Sequence, residues 1–100
     1  MAQYILSPNA QASLRAIKSY SLNQFGEQQT RIYLQLIATR LQAIAEEPEI
    51  GRSRDEIKQG YLSFLAGSHV IFYRKGQGHI DIIDILHQSM EPHLHLYDEE

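Results

Sequence analysis

The chain has no cysteine among its 100 residues. That excludes a disulfide framework, so a domain of this size must rest on its apolar core, and a reducing cytoplasm is the expected compartment. It also lacks any apolar run near the ~18 residues that a spanning helix needs. Its opening, Met1 to Tyr4, shows no basic segment followed by an apolar one, so neither export nor membrane insertion is expected. Cations are in short supply as well: nine Lys and Arg face twelve Asp and Glu, for a net charge of −3 and an isoelectric point near 5.9. Binding nucleic acid through many neutralised phosphates needs the opposite balance, so the charge points to a protein partner and no direct specific nucleic-acid binding is expected.

What is present suits one globular domain over residues 1–100. Apolar residues make up 43% and charged residues 21%, ordinary values that leave no case for disorder, and neither a repeat nor a linker interrupts the chain. Tyr4-Ile5-Leu6 reads as a short strand. Ser7-Pro8 then signals a helix start, because Ser caps the free amides and Pro is tolerated at the first helical position. Ala10, Leu14, Ile17 and Ser21, flanked by Ala16, Tyr20 and Leu22, keep a 3.6-residue spacing to Phe25, where Gly26 suits a left-handed helix end. A second helix, from Glu27 to Glu47-Pro48, carries Ile32, Tyr33, Leu36, Ile37, Leu41 and Ile44 on one stripe.

After a polar connector from Glu49 to Glu56 come three β-like runs, Tyr61–Leu65, Val70–Arg74 and Ile80–Leu86. Short glycine-containing loops separate them, so they read as an antiparallel meander. The expected fold class is α+β, β-α-α-β-β-β, with a helical hairpin packed on an antiparallel sheet. Simple alternation in the last run puts Ile80, Ile82 and Leu86 on one face and Ile83 and Ile85 on the other. The hairpin covers one face; the other packs under the chain's own tail or offers a binding groove. Residues from about 92 to 100 read as a polar, acidic tail with a frayed end.

Three segments together resemble the ParE branch of the RelE/ParE toxin superfamily. They are Leu6-Ser7-Pro8-Asn9-Ala10 running on to Leu14, Ile17 and Tyr20; Pro48-Glu49-Ile50-Gly51 with Gly60-Tyr61 and then Gly67 through Arg74; and Ile82 through Glu91. The resemblance implies a type II toxin held inactive by a cognate, ParD-like antitoxin. ParE-like toxins act on DNA gyrase, stalling its cleaved-DNA state, whereas RelE-like relatives of the same fold cut messenger RNA in the ribosome. ParE-like chains often carry basic residues where Asp81 and Asp84 stand here, and Asp in place of Glu91.

The ribonuclease alternative needs a cation on the scissile phosphate together with an acid and a base. Arg74 and His87 fall far apart: if the Gly76-Gln77-Gly78 loop is tight, Arg74 lies opposite about Ile80, seven residues and roughly 20 Å or more from His87. His69 is the residue expected to approach His87, and the pair are the acid–base candidates; the alternative is that both rings simply pack at a sheet end. Where RelE-like ribonucleases often place a basic residue next in this strand, Val70 stands. His87, His93 and His95 lack a fourth ligand at the usual spacing, so neither metal nor cofactor is expected. Tyr61, Phe64, Phe72 and Tyr73, interleaved with cations, suit either a stacking surface for single strands or, more simply, alternating core positions.

Five of the nine cations, Arg52, Arg54, Lys58, Arg74 and Lys75, fall in one stretch. Such a patch suits an acidic antitoxin segment or an acidic gyrase surface. The candidate residues for antitoxin or target binding are therefore Arg52, Arg54 and Arg74 for charge, Leu41, Ile83 and Ile85 as apolar anchors, and His87 and Met90 at the end of the last strand.

Overall fold

The computed structural model describes residues 3–96. Strand β1 (Tyr4–Leu6) leads at once into helix α1 (Pro8–Glu46), followed by a 3₁₀ turn (Pro48–Ile50). Strands β2 (Arg52–Ser53), β3 (Leu62–Ala66), β4 (His69–Lys75) and β5 (Ile80–His87) and a short helix α2 (Pro92–His95) complete the chain. The expected cap is in place: Ser7 Oγ accepts from the Ala10 amide at 2.9 Å and donates to the Ile83 carbonyl at 2.6 Å. One hydroxyl thus starts the helix and ties it to the sheet. Ser7→Ala should lower the unfolding free energy by about 1–2 kcal/mol, read from urea denaturation, since cap and tertiary bond are lost together.

Helix α1 is broken at Gly26, whose φ of +88° and ψ of 179° lie outside the helical region. Two observations establish that it doubles back there. The Ser21 and Thr30 hydroxyls are 2.9 Å apart, whereas nine residues of straight helix rise ~13.5 Å. The longest dimension of the molecule is 38 Å, against ~58 Å for a straight helix of this length. The helical hairpin is thus present, with arms over residues 8–25 and 27–46 closed by the buried Ser21–Thr30 contact.

Strand order in the sheet is β1-β5-β4-β3-β2. The sheet is not wholly antiparallel, as the sequence had suggested: β1 pairs parallel with β5, Tyr4 opposite Ile80 and Leu6 opposite Ile82. Connectivity explains this. The second helical arm returns the chain against the direction of β1, β2 continues that return, and three further reversals bring β5 round to run with β1. The connector also holds a strand the sequence did not announce, Arg52 and Ser53 pairing with Ser63 and Leu62.

A second correction concerns β5. Phe72 pairs with Asp84 but Tyr73 with Ile82, so Ile83 is an extra residue, a β-bulge that shifts the alternation beyond it. Ile80, Ile82 and Ile85 consequently share the helical side with Ile17, Ile37, Leu41, Ile44, Ile71 and Tyr73. Leu86, expected with Ile80 and Ile82, instead joins Tyr61, Phe72 and Leu96 on the far side, with Ile57, Val70 and Ile83 packed against them. The segment from Pro92 is therefore more than a polar tail, since Leu96 is buried and helps cover that second face. The expected fraying at residues 97–100 lies outside the described residues.

Candidate functional site: an apolar groove floored by two histidines

Between the two arms of the hairpin and the end of the sheet that carries His69 and His87 lies a groove of about 510 Å³. Its walls are Ser13, Ala16, Ile17 and Tyr20 of the first arm, Phe25 beside the Gly26 turn, and Gln29 and Tyr33 of the second arm. Its floor is His69, Ile85 and His87, with Met90 beside them. No Lys, Arg, Asp or Glu lines it among the described residues. Tyr20, Phe25 and Met90 are 63%, 64% and 43% exposed, so large apolar side chains stand open to water around one concavity, the usual mark of a recognition surface.

The bulge and the β3–β4 turn together place the floor. His69 lies directly opposite His87 in the β4–β5 ladder; their ring centroids are 5.3 Å apart and the planes meet at 88°. The Tyr33 hydroxyl lies 2.6 Å from His69 Nδ1 and accepts from the Ser68 amide at 3.0 Å. Tyr33 reaches this position because residue 67 is glycine: at its φ of +64° a Cβ would run into the Tyr33 ring. His87 Nδ1 accepts from the Ser89 amide at 3.1 Å, and the Ser89 hydroxyl lies 2.7 Å away. Burial first, and then the neighbouring His87, holds His69 below the ordinary imidazole range.

A family model described as the ParE toxin of type II toxin–antitoxin systems, parDE, matches residues 4–92. The chain belongs to the ParE toxin family. Toxin ParE1 of Mycobacterium tuberculosis is 42% identical over 91 residues, spanning 90% of this chain and 93% of that one. Toxin ParE1 of Caulobacter vibrioides is 38% identical over 96 residues, spanning 96% and 99%. Among solved structures, the chromosomal ParDE system from P. aeruginosa superposes with a TM-score of 0.75 at 18% identity, covering 87% of this chain and 96% of that one. The RelBE2 toxin–antitoxin complex of Mycobacterium tuberculosis gives 0.60 at 16%, covering 86% and 96%. At such identities these two superpositions speak to the fold alone.

In this toxin the residues singled out from sequence are scattered. His87 and Met90 line the groove, and His69 joins them. Leu41 and Ile85, taken as surface anchors, are 3% and 2% exposed. Both belong to the core between hairpin and sheet, and Ile85 also contributes to the floor of the groove. Ile83 sits on the bulge, packed against the far-side cluster. The basic patch is largely neutralised within the chain. Arg54 pairs with Glu56 at 2.7 Å and lies over the Phe72 ring, Arg74 pairs with Asp81 at 3.5 Å, and Lys75 with Glu49 at 3.0 Å. Arg52 remains exposed on β2. Tyr61 and Phe72 are buried, which favours core positions over a stacking surface.

Sequence reasoning missed Ala16, Tyr20, Phe25 and Tyr33 as site residues. The signal was a surplus. Positions 13, 16, 17 and 20 form a second helical stripe beside the core stripe 10, 14, 17 and 21, wider than one sheet face can cover.

Proposed function

We propose that this toxin works in the cytoplasm by disabling DNA gyrase, performs no bond-breaking chemistry itself, and is silenced when a ParD-like antitoxin lays an apolar segment in the groove. The observation that carries this reading is the lining of the groove floored by His69 and His87, which holds no Lys, Arg, Asp or Glu among the described residues. RNA cleavage needs a cation at the scissile phosphate. Arg74 lies opposite Asp81, six residues along β5 from His87, or roughly 20 Å. An apolar groove ringed by aromatics, by contrast, suits a segment that folds on contact. Nanomolar affinity corresponds to about −12 kcal/mol, which burial of such side chains supplies more readily than rim charges do.

Purified toxin added to gyrase and supercoiled plasmid should raise the amount of cleaved DNA, while ribosome-bound messenger stays intact. His87→Ala should leave gyrase inhibition within a few fold, because a lost hydrogen bond of this kind costs only about 1 kcal/mol. The opposite pattern is messenger cut at the ribosomal A site by the wild type, with toxicity lost in a folded His87→Ala variant that still binds antitoxin. That result would replace the gyrase assignment with an endoribonuclease using His87 and His69 as acid and base.

A further inference from the structure

On the floor of the groove each imidazole turns its Nδ1 to a hydrogen-bonding group rather than to a carboxylate. His87 Nδ1 accepts the Ser89 amide, a bond that a proton on Nδ1 would remove. Of the acceptors around the Tyr33 hydroxyl, His69 Nδ1 at 2.6 Å is nearer than the Ser68 hydroxyl at 3.1 Å or the Ala66 carbonyl at 3.2 Å. Two rings in contact at 5.3 Å also repel if both become charged, so uptake of one proton disfavours the second.

The surroundings contain little to compensate a charge. From α1 the facing group is the Tyr33 phenol; from the β3–β4 turn it is Ser68, and beyond β5 it is Ser89. The nearby carboxylate of Asp84 is occupied by the Ser13 hydroxyl and the Ile85 amide. Arg54 and Glu91 share a smaller cavity with His87 on the far side of the sheet, and Arg54 is already paired with Glu56.

We propose that the His69–His87 pair makes antitoxin capture pH-dependent: the groove holds an apolar segment while both rings are neutral and releases it as the pair takes up a proton. This rests on the groove being the antitoxin site. The direction follows from linkage. Covering the groove removes water from both rings and disfavours their charged form, so the complex binds fewer protons than the free toxin. Affinity is then complete through the ordinary imidazole range and is lost only as pH falls below the depressed His69 value, by up to tenfold per pH unit for one proton.

The test is the dissociation constant of the toxin with its cognate antitoxin at pH 7.5 and 5.5. Three toxins are compared: wild type, the double variant His69→Gln with His87→Gln, and the groove-blocking Ala16→Arg. Wild type should weaken at the lower pH, by at most about tenfold, the glutamine variant should change little, and Ala16→Arg should bind poorly at both. On wild type alone, imidazole ¹⁵N shifts at pH 6 should move towards the neutral form when antitoxin is added, a readout that does not depend on the variants folding. Affinity that is flat or rises on acidification, or a glutamine variant that keeps the full pH dependence, overturns the inference while leaving the docking site intact. If Ala16→Arg binds like wild type, the docking reading falls and this inference falls with it.

Discussion

Gly51→Ala is expected to destabilise the fold by about 3 kcal/mol, the upper part of the range for overpacking a core. Backbone strain is not the reason, since Gly51 has φ −76° and ψ 164°, which any residue adopts. The obstacle is Tyr73: a Cβ on residue 51 would land on its hydroxyl and ring. Tyr73 has no room to yield. It is fully buried, packs within the main core, and donates from its hydroxyl to the Pro48 carbonyl at 2.7 Å. Burial pushes its phenol above the ordinary tyrosine range, so it remains a donor. Native domains have only about 5–15 kcal/mol in hand, so the loss should be plain in urea denaturation followed by circular dichroism. Adding Tyr73→Phe should recover only part of it, because the ring carbons clash as well as the oxygen. A Gly51→Ala protein as stable as wild type would mean that the 3₁₀ turn shifts away freely.

The second large effect concerns recognition. Tyr20→Ala combined with Phe25→Ala should weaken antitoxin binding by about 100-fold or more, since central aromatic anchors typically contribute 2 kcal/mol or more each and such effects add incompletely. The toxin itself should stay folded, because both side chains are more than 60% exposed and contribute little to its core. The measurement is a pair of dissociation constants, with a denaturation curve to confirm that stability is unchanged. Undiminished affinity in the folded double variant would place the antitoxin elsewhere on the surface and remove the groove from the argument.

Local chemistry, legible along the chain, determined a good deal of this protein. Ser7-Pro8 specified a helix start because capping involves only the next three residues. Gly26 specified the break, because a positive φ favours glycine. Periods of 3.6 and 2 distinguished the helical arms from the three β runs. The ordered motifs from Leu6 to Glu91 were enough to place the chain among ParE toxins, and the nearness of His69 to His87 followed from a tight Gly76-Gln77-Gly78 loop, although their direct opposition depends on the bulge at Ile83.

Tertiary structure alone decided the rest, because each remaining feature depends on residues distant in sequence. The extra residue at Ile83 leaves no mark in composition, yet one added position exchanges the faces of Ile85 and Leu86, since side chains alternate every residue. The parallel sense of β1 depends on the sum of all the reversals between Leu6 and Ile80. Arg74 looks like a free cation in sequence and loses that freedom only when β4 and β5 pair, bringing Asp81 opposite it. The groove forms where both arms of the hairpin meet the His69–His87 end of the sheet and leave Tyr20 and Phe25 exposed, a conjunction that no single stretch of chain records.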